Sequence, residues 1–97
     1  MKPRDAAAER DSAEALALRA LAFLAEEPER LGRFLALSGL GPDELRSRAG
    51  DPALLGGVLD HLLSDERLLV AFAEASQIAP EEAARARRRL PGATFWD

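Results

Sequence analysis

The chain contains no cysteine and no tyrosine, and it has only one histidine and one tryptophan. Without cysteine the protein forms no disulfide, no thiolate metal site and no cysteine nucleophile. The lack of cysteine also fits a reducing compartment, and we expect a cytoplasmic protein. Any transition-metal site would have to combine carboxylates with the single imidazole of His61.

Long hydrophobic runs are also missing. The most apolar segment, residues 16–25, is interrupted by Arg19 and falls short of the ~18 consecutive apolar residues of a membrane span. Asp5, Glu9, Asp11 and Glu14 precede it, where a signal peptide would need basic residues. We therefore predict neither a membrane span nor a signal peptide.

β-Branched residues are scarce, which argues against strands. The chain has 97 residues, of which 47% are hydrophobic and 31% charged, as is usual for one soluble globular domain. We predict an all-α protein, a compact single-domain bundle of five or six short helices. The bundle spans residues 11–92, between a flexible N-terminal arm of residues 1–10 and an aromatic C-terminal tail of residues 93–97.

Residues 51–76 carry the clearest helical pattern and are predicted to form two helices at the centre of the core. Asp51 before Pro52 marks the first helix start, and Ser64 before Asp65 marks the second. Each helix has an apolar stripe at helical spacing. These stripes comprise Leu54, Leu55, Val58, Leu59 and Leu62, and then Leu68, Leu69, Phe72, Ala73 and Ser76.

The start of the first helix is predicted at Asp11, which forms a capping-box pattern with Glu14, and its end at Glu26 or Glu27. Its large apolar residues do not share one stripe, so we expect other helices or a second copy of the chain to cover several of its sides. A second helix is predicted from Pro28 to a C-cap at Gly39, and a short helix over residues 42–49.

The last helix is predicted to start at Pro80 and to end at Pro91. Its apolar face comprises Ala83, Ala86 and Leu90, and its opposite face carries Arg85, Arg88 and Arg89. Residues 51–82 hold seven acidic residues and one basic residue, whereas residues 83–97 hold four arginines and one acidic residue. This asymmetry predicts either pairing within the molecule or attraction of a charged partner.

Polar residues in the middle of the chain have structural explanations. His61 is interpreted as a boundary residue, because the adjacent Asp60 points about 100° away around the helix. Gly56 and Gly57 lie inside a helical pattern without the strand and lysine of a phosphate loop, so close helix packing explains them better. The carboxylates are assigned to caps and solvated faces: Asp60, Asp65, Glu66 and Glu74. We predict no catalytic, cofactor-binding or metal-binding residues and no enzyme activity.

Partner binding is the remaining function class. Phe95 and Trp96 either fold back over the bundle or insert into a partner. The leading hypothesis is a non-enzymatic protein–protein interaction or self-association module, with Phe95, Trp96, Arg85, Arg88 and Arg89 as candidate binding residues. The alternative is weak nucleic-acid binding through a helix-turn-helix-like segment of residues 68–90, with Arg85, Arg88 and Arg89. It is less favoured, because acidic Glu81 and Glu82 occupy the end of the helix that usually meets bases.

Two segments of the chain, ERLGRFLALSGLGPDEL and GDPALLGGVLDHLLSDERLLVAFAEASQIAPEEAARARRRLPG, resemble a small bacterial helical family, the domain of unknown function DUF3572. The resemblance covers roughly residues 12–92, and its better markers are LLSDE and RRRLPG. It implies a short intracellular helical protein with no assigned activity. No functional residue carries over from it.

Overall fold

A computed structural model describes residues 6–91, which form six α-helices and no strand. The all-α prediction is therefore confirmed. In chain order the helices are α1 (Ala6–Ala25), α2 (Pro28–Ser38), α3 (Pro42–Arg48), α4 (Pro52–Leu63), α5 (Glu66–Ser76) and α6 (Glu81–Arg88).

Helix α4 is the most apolar part of the core. The Asp51 carboxylate accepts a hydrogen bond from the Ala53 N–H at 3.0 Å, and Pro52 is the first helical residue, as predicted. The Asp65 carboxylate caps α5 in the same way, accepting from the Leu68 N–H at 3.3 Å. The predicted stripe of α4 is buried in full: Leu54, Leu55, Val58, Leu59 and Leu62.

Helix α1 packs through alanine. Ala13, Ala17 and Ala20 are at most 3% exposed, and Leu24 continues the same face. These small side chains allow the close approach of α4, which α1 contacts more extensively than any other helix. The larger residues lie to either side of this face: Leu16 and Leu21 are half-buried, and Leu18 is exposed.

The start of α1 differs from the prediction. The helix begins at Ala6, and residues 6–10, which the sequence placed in an N-terminal arm, form its first turns. The run of alanines explains this extension, because alanine has the highest helix propensity. The capping role predicted for Asp11 is therefore wrong, since Asp11 is an exposed residue in the helix interior.

Helices α2 and α3 cover one side of the core. Gly39 ends α2 with φ 77°, and its N–H donates to the Leu35 carbonyl at 2.9 Å, so the predicted left-handed C-cap is confirmed. Phe34 is the one fully buried residue of α2. The short helix α3 contributes the half-buried Leu45.

Helix α6 closes the bundle by packing against both α1 and α4, which also pack against each other. Its predicted apolar face is buried through Ala83, Ala86 and Leu90. Arg85 and Arg89 consequently lie beside α1. None of the helices in residues 6–91 has the length and apolarity that crossing a bilayer requires.

Candidate functional site

A groove between α1 and α6 forms a cavity with a volume of about 570 Å³. Its apolar lining comes from both helices and from the turn before α6: Ala13, Ala15, Leu16, Ile78 and Ala86. Its polar rim consists of Glu9, Ser12, Arg19, Glu82, Arg85 and Arg89. We call this cavity the α1/α6 groove.

One end of the groove is fixed by an ion pair. Arg89 Nε donates to Glu9 Oε1 at 3.1 Å, which ties α6 to the first turns of α1. Arg89 Nη1 also donates to the carbonyl oxygen of Arg85 at 2.9 Å. The guanidinium of Arg89 therefore has a defined position at this end.

The other end is closed by Arg19. Its Nη2 donates to the carbonyl oxygen of Ser76 at 3.2 Å, where α5 ends. A cation is favourable there because the last carbonyls of a helix carry partial negative charge. The sequence signal for this contact is the single arginine within the apolar run of residues 16–25, although Arg19 was not predicted as a site residue.

Arg85 forms the middle of the α6 wall. It is exposed, and within residues 6–91 no ion pair engages its side chain. Glu82, one turn earlier on α6, accepts from the Ala79 N–H at 3.2 Å and so helps to start the helix. The groove thus presents an unpaired guanidinium next to an apolar floor.

The structure brings together two of the five residues predicted to bind partners. Arg85 and Arg89 line the groove, whereas Arg88 is exposed on α6 outside it. Phe95 and Trp96 lie outside the described residues. Leu16 and Ile78, which supply the larger apolar side chains of the groove, were not predicted as site residues.

Unlike the other arginines of α6, Arg87 is buried. Arg87 makes a two-pronged ion pair with Asp60 of α4, from Nε to Oδ1 at 2.7 Å and from Nη2 to Oδ2 at 3.1 Å. Its Nη1 donates to the carbonyl oxygens of Leu90 and Pro91 at 3.2 and 2.9 Å. The prediction that Asp60 lies on a solvated face is wrong, because this carboxylate holds α6 against α4.

Gly56 provides the space for this arginine. A Cβ atom at Gly56 would lie 3.0 Å from Arg87 Nη1 and 3.2 Å from the Pro91 carbonyl oxygen. The close approach predicted for the double glycine is therefore confirmed at Gly56, although the approaching group is a guanidinium. At Gly57 a Cβ atom would meet nothing within 4 Å.

His61 lies at the edge of the core, as predicted. Its ring makes an edge-on contact with Phe34 at 5.3 Å between ring centroids. Burial lowers the pKa of His61 below 6.5, the nearby Arg33 lowers it further, and Asp65 partly opposes both effects. Within residues 6–91 no three His, Cys, Asp or Glu side chains are placed to share a metal ion.

Comparison with known proteins identifies the family of the chain. Searches of curated proteins and of solved structures found no significant similarity. Residues 10–93 match the family described as Protein of unknown function (DUF3572). This match covers most of the chain and includes α2 to α6 in full. The protein therefore belongs to the DUF3572 family.

Proposed function

We propose that the protein is a non-enzymatic, cytoplasmic interaction module that binds a protein partner in the α1/α6 groove. The observation that carries this proposal is Arg85, an exposed guanidinium without an ion pair among the described residues, beside the apolar Leu16 and Ile78. Arginine next to apolar side chains is typical of the residues that dominate binding energy at interfaces.

The chemistry of the groove defines the partner segment. Its apolar floor suits an aliphatic or aromatic side chain, and Arg85 suits a carboxylate, which a guanidinium binds through two parallel hydrogen bonds. Arg19 and Arg89 are already engaged by Ser76 and Glu9, so Arg85 is the residue left to select the acidic group. The expected partner is a short protein segment with an apolar residue next to an acidic one.

The surroundings of His61 support a non-enzymatic role. In the described part of the chain no hydrogen bond engages its imidazole, and its ring neighbour is Phe34. General acid–base catalysis needs a proton donor or acceptor within hydrogen-bond reach of the reacting group. Within residues 6–91, His61 therefore has no hydrogen-bonded partner that would orient its imidazole as a general base.

Nucleic-acid binding through α6 has less support. Arg87 is buried against Asp60 and Arg89 is paired with Glu9, which leaves two exposed and unpaired arginines on the helix, Arg85 and Arg88. Nucleic-acid affinity depends on a concentrated basic face. Salt-sensitive binding of duplex DNA that is lost in an Arg85→Glu/Arg88→Glu variant would favour this alternative over a protein partner.

The proposal is tested with the tagged full chain. A partner is isolated from the native cell, identified, and its affinity measured by calorimetry for the wild type, Arg85→Glu and Arg88→Glu. We expect Arg85→Glu to weaken binding at least about tenfold and Arg88→Glu to leave it within about threefold. Equal affinities for all three proteins, or failure to isolate any partner, would contradict the proposal.

A further inference from the structure

Leu37 of α2 is the most exposed large apolar residue of the described chain, with 68% of its surface accessible. It lines two hollows that also share His61 of α4 and Ser64, the residue after α4. One hollow, of about 220 Å³, has Phe34 and Gly57 in its walls. The other, of about 350 Å³, extends to the start of α5. Leu37 is thus an apolar projection beside concave surface.

Gly57 forms part of the first hollow. It shares one face of α4 with Asp60, His61 and Ser64, three, four and seven residues later. A glycine inside a helix is destabilising relative to alanine. At Gly56 the contact with Arg87 explains this cost, but at Gly57 the surrounding space is open. The bare backbone of Gly57 would let another helix approach closely.

Charges of both signs surround the projection and the hollows. Arg33 and Arg67 line the second hollow together with Asp65 and Glu66. A partner whose surface is only positive or only negative would place a charge of the same sign opposite two of these four side chains. A second copy of the same surface, rotated by a two-fold axis, supplies both signs, an apolar projection and a recess. Among possible occupants, another copy of the chain therefore matches this face best.

We infer that the face formed by α2 and α4 binds a second copy of the chain, with Leu37 of each copy packed over Gly57 of the other. This dimer is independent of the partner site proposed above, because the α1/α6 groove shares none of these residues. Both sites can be occupied at once. The module would then present two grooves per assembly, which raises its avidity for a repeated partner.

Sedimentation equilibrium of the full chain tests this inference over a range from about 1 µM to 1 mM. We expect a monomer–dimer equilibrium whose dissociation constant rises at least about tenfold for Leu37→Lys. The matched control is Leu18→Lys, which introduces the same charge at another exposed leucine on α1. It should leave the dissociation constant unchanged.

A second variant, Gly57→Leu, fills the recess from a position where a Cβ atom has open space, and it should weaken the dimer to a similar extent. Circular dichroism verifies that each variant keeps its helices. A wild-type monomer at every concentration would overturn the inference, and so would a dimer weakened by Leu18→Lys and not by Leu37→Lys. Arg85→Glu should leave the dimer intact, which separates this test from that of the partner groove.

Discussion

Arg87 of α6 and Asp60 of α4 form the main polar contact between these two helices, with Arg87 Nε 2.7 Å from Asp60 Oδ1. Their side chains are 10% and 32% exposed, so the pair is largely shielded from water. The same guanidinium binds the carbonyl oxygens of Leu90 and Pro91, where α6 has ended. The Arg87 side chain therefore holds α6 against α4 and also donates hydrogen bonds to the carbonyl oxygens that follow the last turn of α6.

Breaking this pair should destabilise the fold. Asp60→Asn leaves the Arg87 charge buried without its counter-charge, and we expect a loss of about 2 to 3 kcal/mol in the free energy of unfolding. The change in the free energy of unfolding is measured by urea denaturation, with circular dichroism as the probe of unfolding. The control is Arg46→Met, which removes the exposed pair with Asp43 and should cost less than about 0.5 kcal/mol.

The two glycines of α4 should respond to alanine in opposite directions. Gly57→Ala meets open space and should stabilise the helix by about 0.5 to 1 kcal/mol, whereas Gly56→Ala presses on Arg87 and the Pro91 carbonyl and should destabilise the protein. Both variants are compared in a Leu37→Lys background, so that self-association does not contribute. Similar effects of the two substitutions on urea unfolding would contradict the role assigned to Gly56.

Enlarging the alanine face of α1 should be costly. Ala17 is fully buried against the core, so Ala17→Leu forces α1 away from its neighbours and should destabilise the protein by about 1 to 3 kcal/mol. Removing the larger side chain of Leu18 on the same helix, by Leu18→Ala, should change stability by less than about 1 kcal/mol, because Leu18 is exposed. The stability changes of both variants are measured by thermal unfolding. A larger loss for Leu18→Ala would show that the packed face is assigned incorrectly.

His61 should make stability depend on pH. Its pKa in the folded protein lies below the ordinary value of 6.5, so the unfolded chain binds the proton more readily. Neutral His61 therefore contributes to the free energy of unfolding. This contribution is present in full above pH 6.5 and is lost as the pH falls from 6.5 through the folded-state pKa of His61. Because His61 is the only histidine, its NMR titration is a single curve. Arg33→Gln should raise the pKa, and a wild-type pKa at or above 6.5 would contradict this description.

Local signals in the sequence predict most of the fold. Asp51, Asp65 and Gly39 act within one turn of their own helix, and their capping roles are confirmed. Asp11 does not cap α1, because the helix propensity of the alanines before it outweighs the capping pattern. The buried alanine face of α1 was not predicted, because small side chains give a weaker hydrophobic pattern than leucine and phenylalanine.

The structural features that the sequence does not predict depend on long-range contacts. Asp60 and Arg87 are 27 residues apart, and nothing in their local spacing links them. Glu9 and Arg89 are 80 residues apart, and Arg19 and Ser76 are 57 apart. The contacts of Arg87 and Arg89 exist because α6 packs against both α4 and α1, and that arrangement also turns two of the predicted arginines, Arg85 and Arg89, toward a common groove.

The most direct test of the partner groove is photo-crosslinking in the native cell. A photoreactive amino acid replaces Ala15, an exposed residue of the α1/α6 groove, or Ala53, an exposed residue of α4 outside it. We predict a crosslink to a distinct partner protein from position 15 and none from position 53, with the position-15 crosslink abolished by Arg85→Glu. A crosslink from position 53 alone, or one from position 15 that persists in Arg85→Glu, would contradict the proposed binding site.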